Sequence, residues 1–375
     1  MPDDLRVLVV TTTLAPGGLQ TWEAASRLPG VDLHLAGSLT PDPSDVFHER
    51  IEIPAWGTPH ALEPAGLLRG RDRLWWELDG LEQLIDRIRP DVVHVHTEIW
   101  GRLVTQALRG RAPVVDHGAE NISLTHGGRV EGSVRAAIAR RNLRRVAGYV
   151  SWNSDGVRLM QQNGLAPGTP TAVAPGVVPD PGPYLAARRT PGRRGAARVG
   201  YIGRLVPEKG VQWLIEALDG TEGCELVVIG SGEYQPVLER QAARRGVQVT
   251  FLGSVERDAM PQTLADLDVV VVPSTPRPGW TEQFGRVVVE AMVVGVPVVT
   301  SDSGALVEVT GPGGVVVPAH DRAALRDAIR TLLVDADERR AVGERGRRWA
   351  LANLVPEAAA ATLHPLWAEV KARAA

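Results

Sequence analysis

Thr281-Glu-Gln-Phe-Gly-Arg-Val-Val-Val-Glu-Ala-Met-Val-Val-Gly-Val-Pro-Val-Val-Thr-Ser301 is the stretch from which the fold can be read. Glu282 to Gly285 reads as a loop running into a helix start, where exposed backbone N–H groups suit polar or anionic ligands. An apolar helical run follows, and Gly295-Val-Pro-Val-Val-Thr300 then turns abruptly into a short β-branched strand. That order, loop to helix to buried strand, is how an α/β nucleotide-binding half reads. Glu282 and Glu290 bracket the glycine about two helical turns apart, a spacing that predicts both on roughly one side of the helix. Carboxylates so arranged suit sugar hydroxyls, one for a hexose and one for a ribose diol, although the same pair alone would also serve as a solvated helix face.

Outward from this stretch, strand-like apolar runs recur at Val7–Val10, Val92–Val95, Val114–Val115 and Tyr149–Trp152, then at Val199–Ile202, Leu226–Ile229, Val249–Leu252, Val269–Val272 and Gly314–Val317. Helical stretches separate them, the alternation expected of parallel sheets wrapped in helices. Between the two sets, Ala166 to Ala197 is rich in proline and glycine and carries the Arg-rich segment 188–198, which marks a domain boundary. The expected division is 1–180, 181–350, and a helical, amphipathic C-terminal segment 351–375.

With 375 residues, 44% hydrophobic and 23% charged, the chain is long enough for two domains with a core each. A net charge of -3 gives no reason to expect nucleic acid, which is met by clustered excess Lys and Arg. Cys224, the single cysteine, opens the run Glu225–Ile229 and reads as a small buried hydrophobe in a reducing compartment. The acidic start Met1-Pro-Asp-Asp4 lacks the charged and apolar regions of a signal peptide, and no run approaches the length of a spanning helix, so a cytoplasmic protein is expected. Arg135, Arg140, Arg141, Arg144 and Arg145 lie among Ala, Ile and Leu in a helical pattern; contact with anionic lipid is one reading, and a solvated helix face is the preferred one.

Several loops carry the chemistry. Val199-Gly-Tyr-Ile-Gly-Arg-Leu-Val-Pro-Glu-Lys-Gly210 is a strand, a glycine turn and a helix led by Pro207 and Glu208. Arg204 and Lys209 emerge at the carboxyl end of a strand, where an open α/β sheet binds its ligand, and two cations there suit a diphosphate. Gly230-Ser-Gly232 follows the next strand, and its glycines permit close backbone approach. Gly253 and Val255 end another. In the first half, Pro16-Gly17-Gly18-Leu19 follows a strand but lacks the third glycine and the acidic residue of a nicotinamide site. His94 and His96 share one strand face; with no third ligand at zinc-like spacing, hydrogen-bonded histidines are preferred over a metal pair. His117 sits at a strand's carboxyl end with Asp116 and Glu120 nearby. Trp152 and Ser154 follow another strand end, where cleft lining and packing fit equally. Asp266-Leu-Asp268 matches a metal-binding string, but lies at the amino end of its strand, away from the ligand crevice.

The paired glutamates, the FG and GVPVV elements, and the GRL-PEKG segment together resemble the donor site of retaining GT-B glycosyltransferases, glycosyltransferase family 4 (group 1). The resemblance covers nearly the whole chain and is sharpest in the second half. It implies an α/β GT-B fold: two Rossmann-like domains facing each other across a cleft, the first binding an acceptor and the second a nucleotide-diphosphate sugar, with the C-terminal helix crossing back to the first. It implies that Arg204 and Lys209 balance the leaving diphosphate without a metal, that Glu290 holds the ribose, and that Glu282 with the Phe284 and Gly285 amides fixes the hexose. It further implies that Gly17, Gly18, Gly203, Gly230 and Gly232 approach the donor, that Gly253 and Val255 read the base edge, and that His117 bonds the sugar's primary hydroxyl. The donor is expected to be a UDP-sugar, with GDP the other choice; the acceptor is a small molecule, glycan or lipid, and no separate cofactor is expected. The segment Thr275-Pro-Arg-Pro-Gly-Trp280 lengthens the loop before Glu282 relative to the family form. Two alternatives share much of this pattern, a nucleotide-sugar 2-epimerase and a non-catalytic nucleotide-sugar-binding protein.

Overall fold

The computed structural model describes residues 4–15, 18–40, 51, 53–66, 75–125, 129–175, 179–190 and 195–375. The chain forms two compact units, Met1–Val178 with Pro356–Ala375, and Pro179–Val355.

The first unit is built on β1 (Leu5–Thr13), β2 (Val31–Ser38), β3 (Thr58–Ala61), a short β4 (Pro64–Ala65) and β5 (Glu77–Leu78), β6 (Val92–His96), β7 (Val114–Gly118), β8 (Gly148–Ser151) and β9 (Thr171–Val173). Seven of these make one sheet in the order β3-β2-β1-β6-β7-β8-β9, parallel at every pairing, while β4 and β5 pair antiparallel to each other. Helices on both faces explain why β1 reads as a continuous apolar run, with Val7 to Val10 fully buried. One face packs on Leu81, Leu84, Leu103 and Tyr149; the other packs on Trp22 and on Ala360, Leu363 and Trp367 of the last helix, Pro356–Ala374. That helix starts at Pro356, a residue whose fixed φ and missing N–H suit a first helical position. Residues 351–353, expected in the same terminal segment, instead finish the preceding helix Ala336–Asn353, and Leu354 and Val355 separate the two.

The second unit carries β10 (Ala197–Ile202), β11 (Cys224–Ile229), β12 (Val249–Gly253), β13 (Val269–Val272), β14 (Val298–Ser301) and β15 (Val315–Val317), ordered β12-β11-β10-β13-β14-β15 and parallel throughout. Its helices are capped locally: Asp321 accepts from the Ala323 and Ala324 amides at 3.0 and 2.9 Å, satisfying donors the first turn leaves open. In this sheet the strand order reverses between β10 and β13. Ligands of doubly wound sheets bind outside the carboxyl ends of the strands at such a reversal.

Five strands, β2, β3, β4, β5 and β9, lie where the sequence suggested none. β2 alternates Val31, Leu33 and Leu35 with Asp32 and His34, and β9 falls inside the stretch read as linker, where it pairs with β8.

Candidate active site

The loop after β10 runs from Gly203, at φ 155, through the 3-10 turn Pro207–Lys209 to Gly210, which sits left-handed at φ 75 and heads the helix Val211–Ala217. A Cβ on Gly210 would stand 1.8 Å from the Pro273 carbonyl oxygen, so only glycine lets this loop lie against the end of β13. That contact brings the loops on the two sides of the reversal together. Lys209 Nζ donates to Glu282 Oε1 at 2.9 Å and Oε2 at 2.8 Å, and Ser274 Oγ donates to the same carboxylate at 2.8 Å. Trp280 closes the other side, its ring centroid 5.2 Å from Nζ. The indole is held by a tight turn in which Arg277 and Trp280 exchange backbone bonds of 2.9 Å around Pro278 and Gly279, the latter at φ 76. The lengthened segment before Glu282 is therefore an ordered turn whose last residue covers the lysine. Arg204, from the same glycine loop, is exposed, and its carbonyl accepts from the Tyr201 hydroxyl at 2.8 Å.

Glu282 and Glu290 do not share a helical face. Gly285, left-handed at φ 86, is the N-cap of the helix Arg286–Val294, so Glu282 lies in the loop before the helix and only Glu290 lies on it. Glu290 is buried, receives Arg286 Nε at 2.9 Å one turn back, and also bonds the Tyr184 hydroxyl. Burial raises its pKa, an effect that Arg286 and Tyr184 partly oppose. Phe284, next to Gly285 in sequence, is buried.

The glycines after β10 and β11 serve each other. A Cβ on Gly230, at φ 123, would fall 2.0 Å from the Gly203 carbonyl oxygen, and one on Gly232 would fall 2.3 Å from that of Leu205. Backbone bonds Gly203 N to Ile229 O and Leu205 N to Ser231 O, each 2.9 Å, and Gly230 N to Gly253 O, 2.7 Å, zip the three loops into one rim. Gly253, at φ 69, has open space around its missing side chain, and Val255 is half-buried.

In the first unit, Gly17 lies outside the described residues, and a Cβ at Gly18 would meet nothing. His117 is fully buried, and its Nε2 donates to the Ala174 carbonyl at 2.7 Å. Burial, then His96 and His94, keep the ring neutral with its pKa well below the usual histidine range. A contact to a sugar hydroxyl needs an exposed ring nitrogen, and in this conformation His117 offers none. It packs instead with His94 and His96, at ring separations of 5.2 and 4.9 Å, against Trp22. His94 accepts at Nδ1 from Trp367 Nε1 at 2.8 Å, which makes it the hydrogen-bonded histidine that its strand position suggested. The opposite face of β7 carries Asp116, fully buried, its pKa well raised by burial and by Glu98 and only partly offset by the His117 backbone amide. Nothing in the sequence pattern announced this acid as interior.

Asp266 and Asp268 stay at the amino end of β13. Asp266 accepts from the Thr190 amide and hydroxyl, and Asp268 from Arg189 and the Arg198 amide, so both fasten the segment that enters the second unit. Of the basic helix Arg129–Leu143 and its end, Arg135 is turned inward over the Trp100 ring at 4.6 Å, while Arg140, Arg141, Arg144 and Arg145 are exposed. Cys224 is half-buried and its thiol contacts the Thr221 carbonyl oxygen at 3.7 Å. Among the described residues no helix is long and apolar enough to cross a membrane.

Two doubly wound units, one with a cation and a carboxylate meeting at its strand reversal, define a nucleotide-sugar type of α/β protein. Comparison with known families agrees: residues 188–349 match the model described as glycosyl transferases group 1, and residues 23–180 the model of glycosyltransferase family 4. The GDP-mannose-dependent alpha-(1-6)-phosphatidylinositol monomannoside mannosyltransferase of Mycobacterium tuberculosis is 29% identical over 375 residues, covering 92% of this chain and 94% of that one. The glycogen synthase of the same organism is 32% identical over 311 residues, 77% of this chain and 69% of its own. Among solved structures, Anabaena HepE in complex with UDP superimposes with a TM-score of 0.70 at 19% identity, covering 97% of this chain and all of that one. The chain belongs to the group 1, family 4 glycosyltransferases and has their GT-B fold.

Proposed function

We propose that the protein transfers a hexose, with retention of anomeric configuration, from a nucleotide-diphosphate sugar to a hydroxyl or amine of a small-molecule, glycan or lipid acceptor, and that it does so without a metal. The observation that carries this reading is the meeting of Lys209 with Glu282 across the β10/β13 reversal, with Arg204 exposed on the same loop. In this reading the Lys209–Glu282 pair is the resting arrangement. The donor diphosphate competes with Glu282 for Lys209 and takes Arg204 as its second cation, which stabilises the charge that develops on the leaving group. Glu282, freed of part of its pairing, turns to the hexose beside the Phe284 and Gly285 amides, and Glu290 takes the ribose hydroxyls in exchange for Tyr184. The departing phosphate accepts the acceptor's proton, so no protein nucleophile is required.

For the donor base, the name of the mycobacterial relative specifies GDP-mannose and the Anabaena structure contains UDP; UDP-sugars and GDP-sugars are accordingly the donors to compare. The test is thermal stabilisation by UDP, GDP, ADP, NAD and the matching sugars, in which a ligand at 100 times its Kd adds about 2.7 kcal/mol. Stabilisation by one nucleoside diphosphate and its sugars, lost in Arg204→Ala, supports the clamp. Stabilisation by NAD alone sinks it. Incubating the stabilising sugar nucleotide without acceptor separates the epimerase alternative, which would give a new sugar at C2.

A further inference from the structure

On the edge of the second unit opposite the donor loops, at the amino ends of β13 and β14, a cavity of about 530 Å³ is lined by Arg188, Arg189, Arg339, Arg340 and Arg347. We propose that it is a binding site for a phosphate-bearing ligand, separate from the donor site.

The charge is compensated only in part. Asp268 is the lining's carboxylate, and it already accepts from Arg189 at 2.7 Å and from the Arg198 amide at 2.8 Å. Arg340 pairs with Asp337. Arg188, Arg339 and Arg347 form no ion pair among the described residues. Bringing such guanidinium groups to one cavity is unfavourable until an anion enters, and their planar forks match phosphate oxygens two at a time.

The arginines are also held in place before any ligand arrives. Arg339 Nη1 donates to the Leu332 and Leu333 carbonyls at 2.9 and 3.1 Å, Arg347 Nε to the Val293 carbonyl at 2.9 Å, and Arg188 Nη1 to the Leu185 and Ala187 carbonyls at 2.6 and 2.8 Å. Each of these anchors caps the end of a helix, a structural duty for cations. It uses only part of each guanidinium, leaving further N–H groups for a ligand, and the side-chain entropy that binding would cost has already been lost. The floor is apolar, from Leu267, Val294, Val296 and Pro297, and the volume falls within the range of small-molecule sites, about 300–1,000 Å³. A phosphate on a partly apolar body is the chemistry that fits, whether a free phosphorylated metabolite or the head group of an anionic lipid.

The experiment is calorimetric titration of inorganic pyrophosphate into the full chain, with Arg204→Ala as background to weaken the donor site. Binding that persists in Arg204→Ala and weakens at least tenfold when Arg339→Ala and Arg347→Ala are added is the expected result. An unchanged Kd, or no binding in the Arg204→Ala protein, overturns the proposal. Should removal of the helix anchors unfold the chain, Arg340→Glu, at an exposed position whose side chain pairs only with Asp337 among the described residues and caps no helix, reverses one charge in the same cavity and must weaken pyrophosphate equally. Flotation with phosphatidylglycerol vesicles against phosphatidylcholine vesicles identifies the source: arginine-dependent flotation assigns a lipid head group, and pyrophosphate binding without flotation assigns a free phosphate compound.

Discussion

Lys209 and Glu282 stand 73 residues apart in sequence, yet Nζ lies within 2.9 Å of both carboxylate oxygens. The pair is only slightly exposed, 18% and 11% at the side chains. Lys209→Ala takes both Nζ hydrogen bonds from the Glu282 carboxylate while the Ser274 hydroxyl still donates to it, so stability should fall by about 1–3 kcal/mol, less than for a fully dry pair. Activity should fall much further, by about 100-fold or more in kcat, because leaving-group stabilisation is lost. Full turnover by Lys209→Ala in a steady-state transfer assay would refute the assignment of that lysine.

Trp280 gives a finer test of the same site. Its cation–π contact to Lys209 contributes about 0.5–2 kcal/mol. Trp280→Ala should therefore change the donor KM several-fold while Trp280→Phe, which keeps an aromatic face, restores most of the affinity. Equal KM for Ala and Phe variants would mean that the indole is packing alone.

Gly230→Ala should damage the donor rim from within. The new Cβ would meet the Gly203 carbonyl at 2.0 Å, and φ 123 is strained for any other residue. A loss of about 2 kcal/mol or more is expected in urea unfolding. Gly253→Ala has open space and should show only the left-handed backbone cost, about 1–2 kcal/mol. Comparable losses in the two variants would contradict the loop-to-loop contact.

The strands that were legible were those read from both-sided burial, such as β1, β11 and β13, because continuous Val, Leu and Ile runs have few other uses. β2 escaped because it alternates, and β9 because its brief Thr-Ala-Val lies among prolines and glycines whose composition outweighed it. Arg204, Lys209, Glu282 and Glu290 could each be singled out from loop and motif, and their roles belong to the proposed function. Their partners could not, since Lys209 with Glu282 and Glu290 with Tyr184 are meetings made by the sheet order. The helical spacing of the glutamates failed for a local reason: periodicity applies only within one helix, and Gly285 starts that helix after Glu282. The arginine cavity was invisible for the opposite reason, its residues being contributed by widely separated segments.

Trp367→Phe should separate packing from hydrogen bonding in the first unit. It keeps most of the buried ring but removes the 2.8 Å donor to His94 Nδ1, leaving a fully buried acceptor unsatisfied. The expected cost is about 1–3 kcal/mol beyond the lost volume. The same change should leave the melting shift produced by nucleoside diphosphate unaltered, as both residues lie in the unit that does not carry the proposed diphosphate clamp. Loss of that shift would show that the two units' functions are coupled.

Glu120 supplies a pH signature. Burial lifts its pKa from 4.5 to about 7, against the lowering influence of Trp100 and Arg135. A carboxyl whose folded pKa exceeds its unfolded value binds protons more tightly when folded, so its stabilising contribution is full below about pH 4.5 and disappears as pH rises through about 7. Buried His94 and His117 have the opposite sign: with folded pKa values well below 6.5, they contribute stability above that pH and lose it as acid protonates the unfolded chain. The two trends oppose each other in the wild-type curve, so the difference between wild type and Glu120→Gln isolates the carboxyl. Urea unfolding across pH 5 to 8 should show wild type losing stability relative to Glu120→Gln as pH rises, by a total of about 3 kcal/mol. A difference that stays flat with pH would mean that Glu120 is ionised in the folded protein throughout, and that the carboxylates at the ends of β6 and β7 are solvated rather than enclosed.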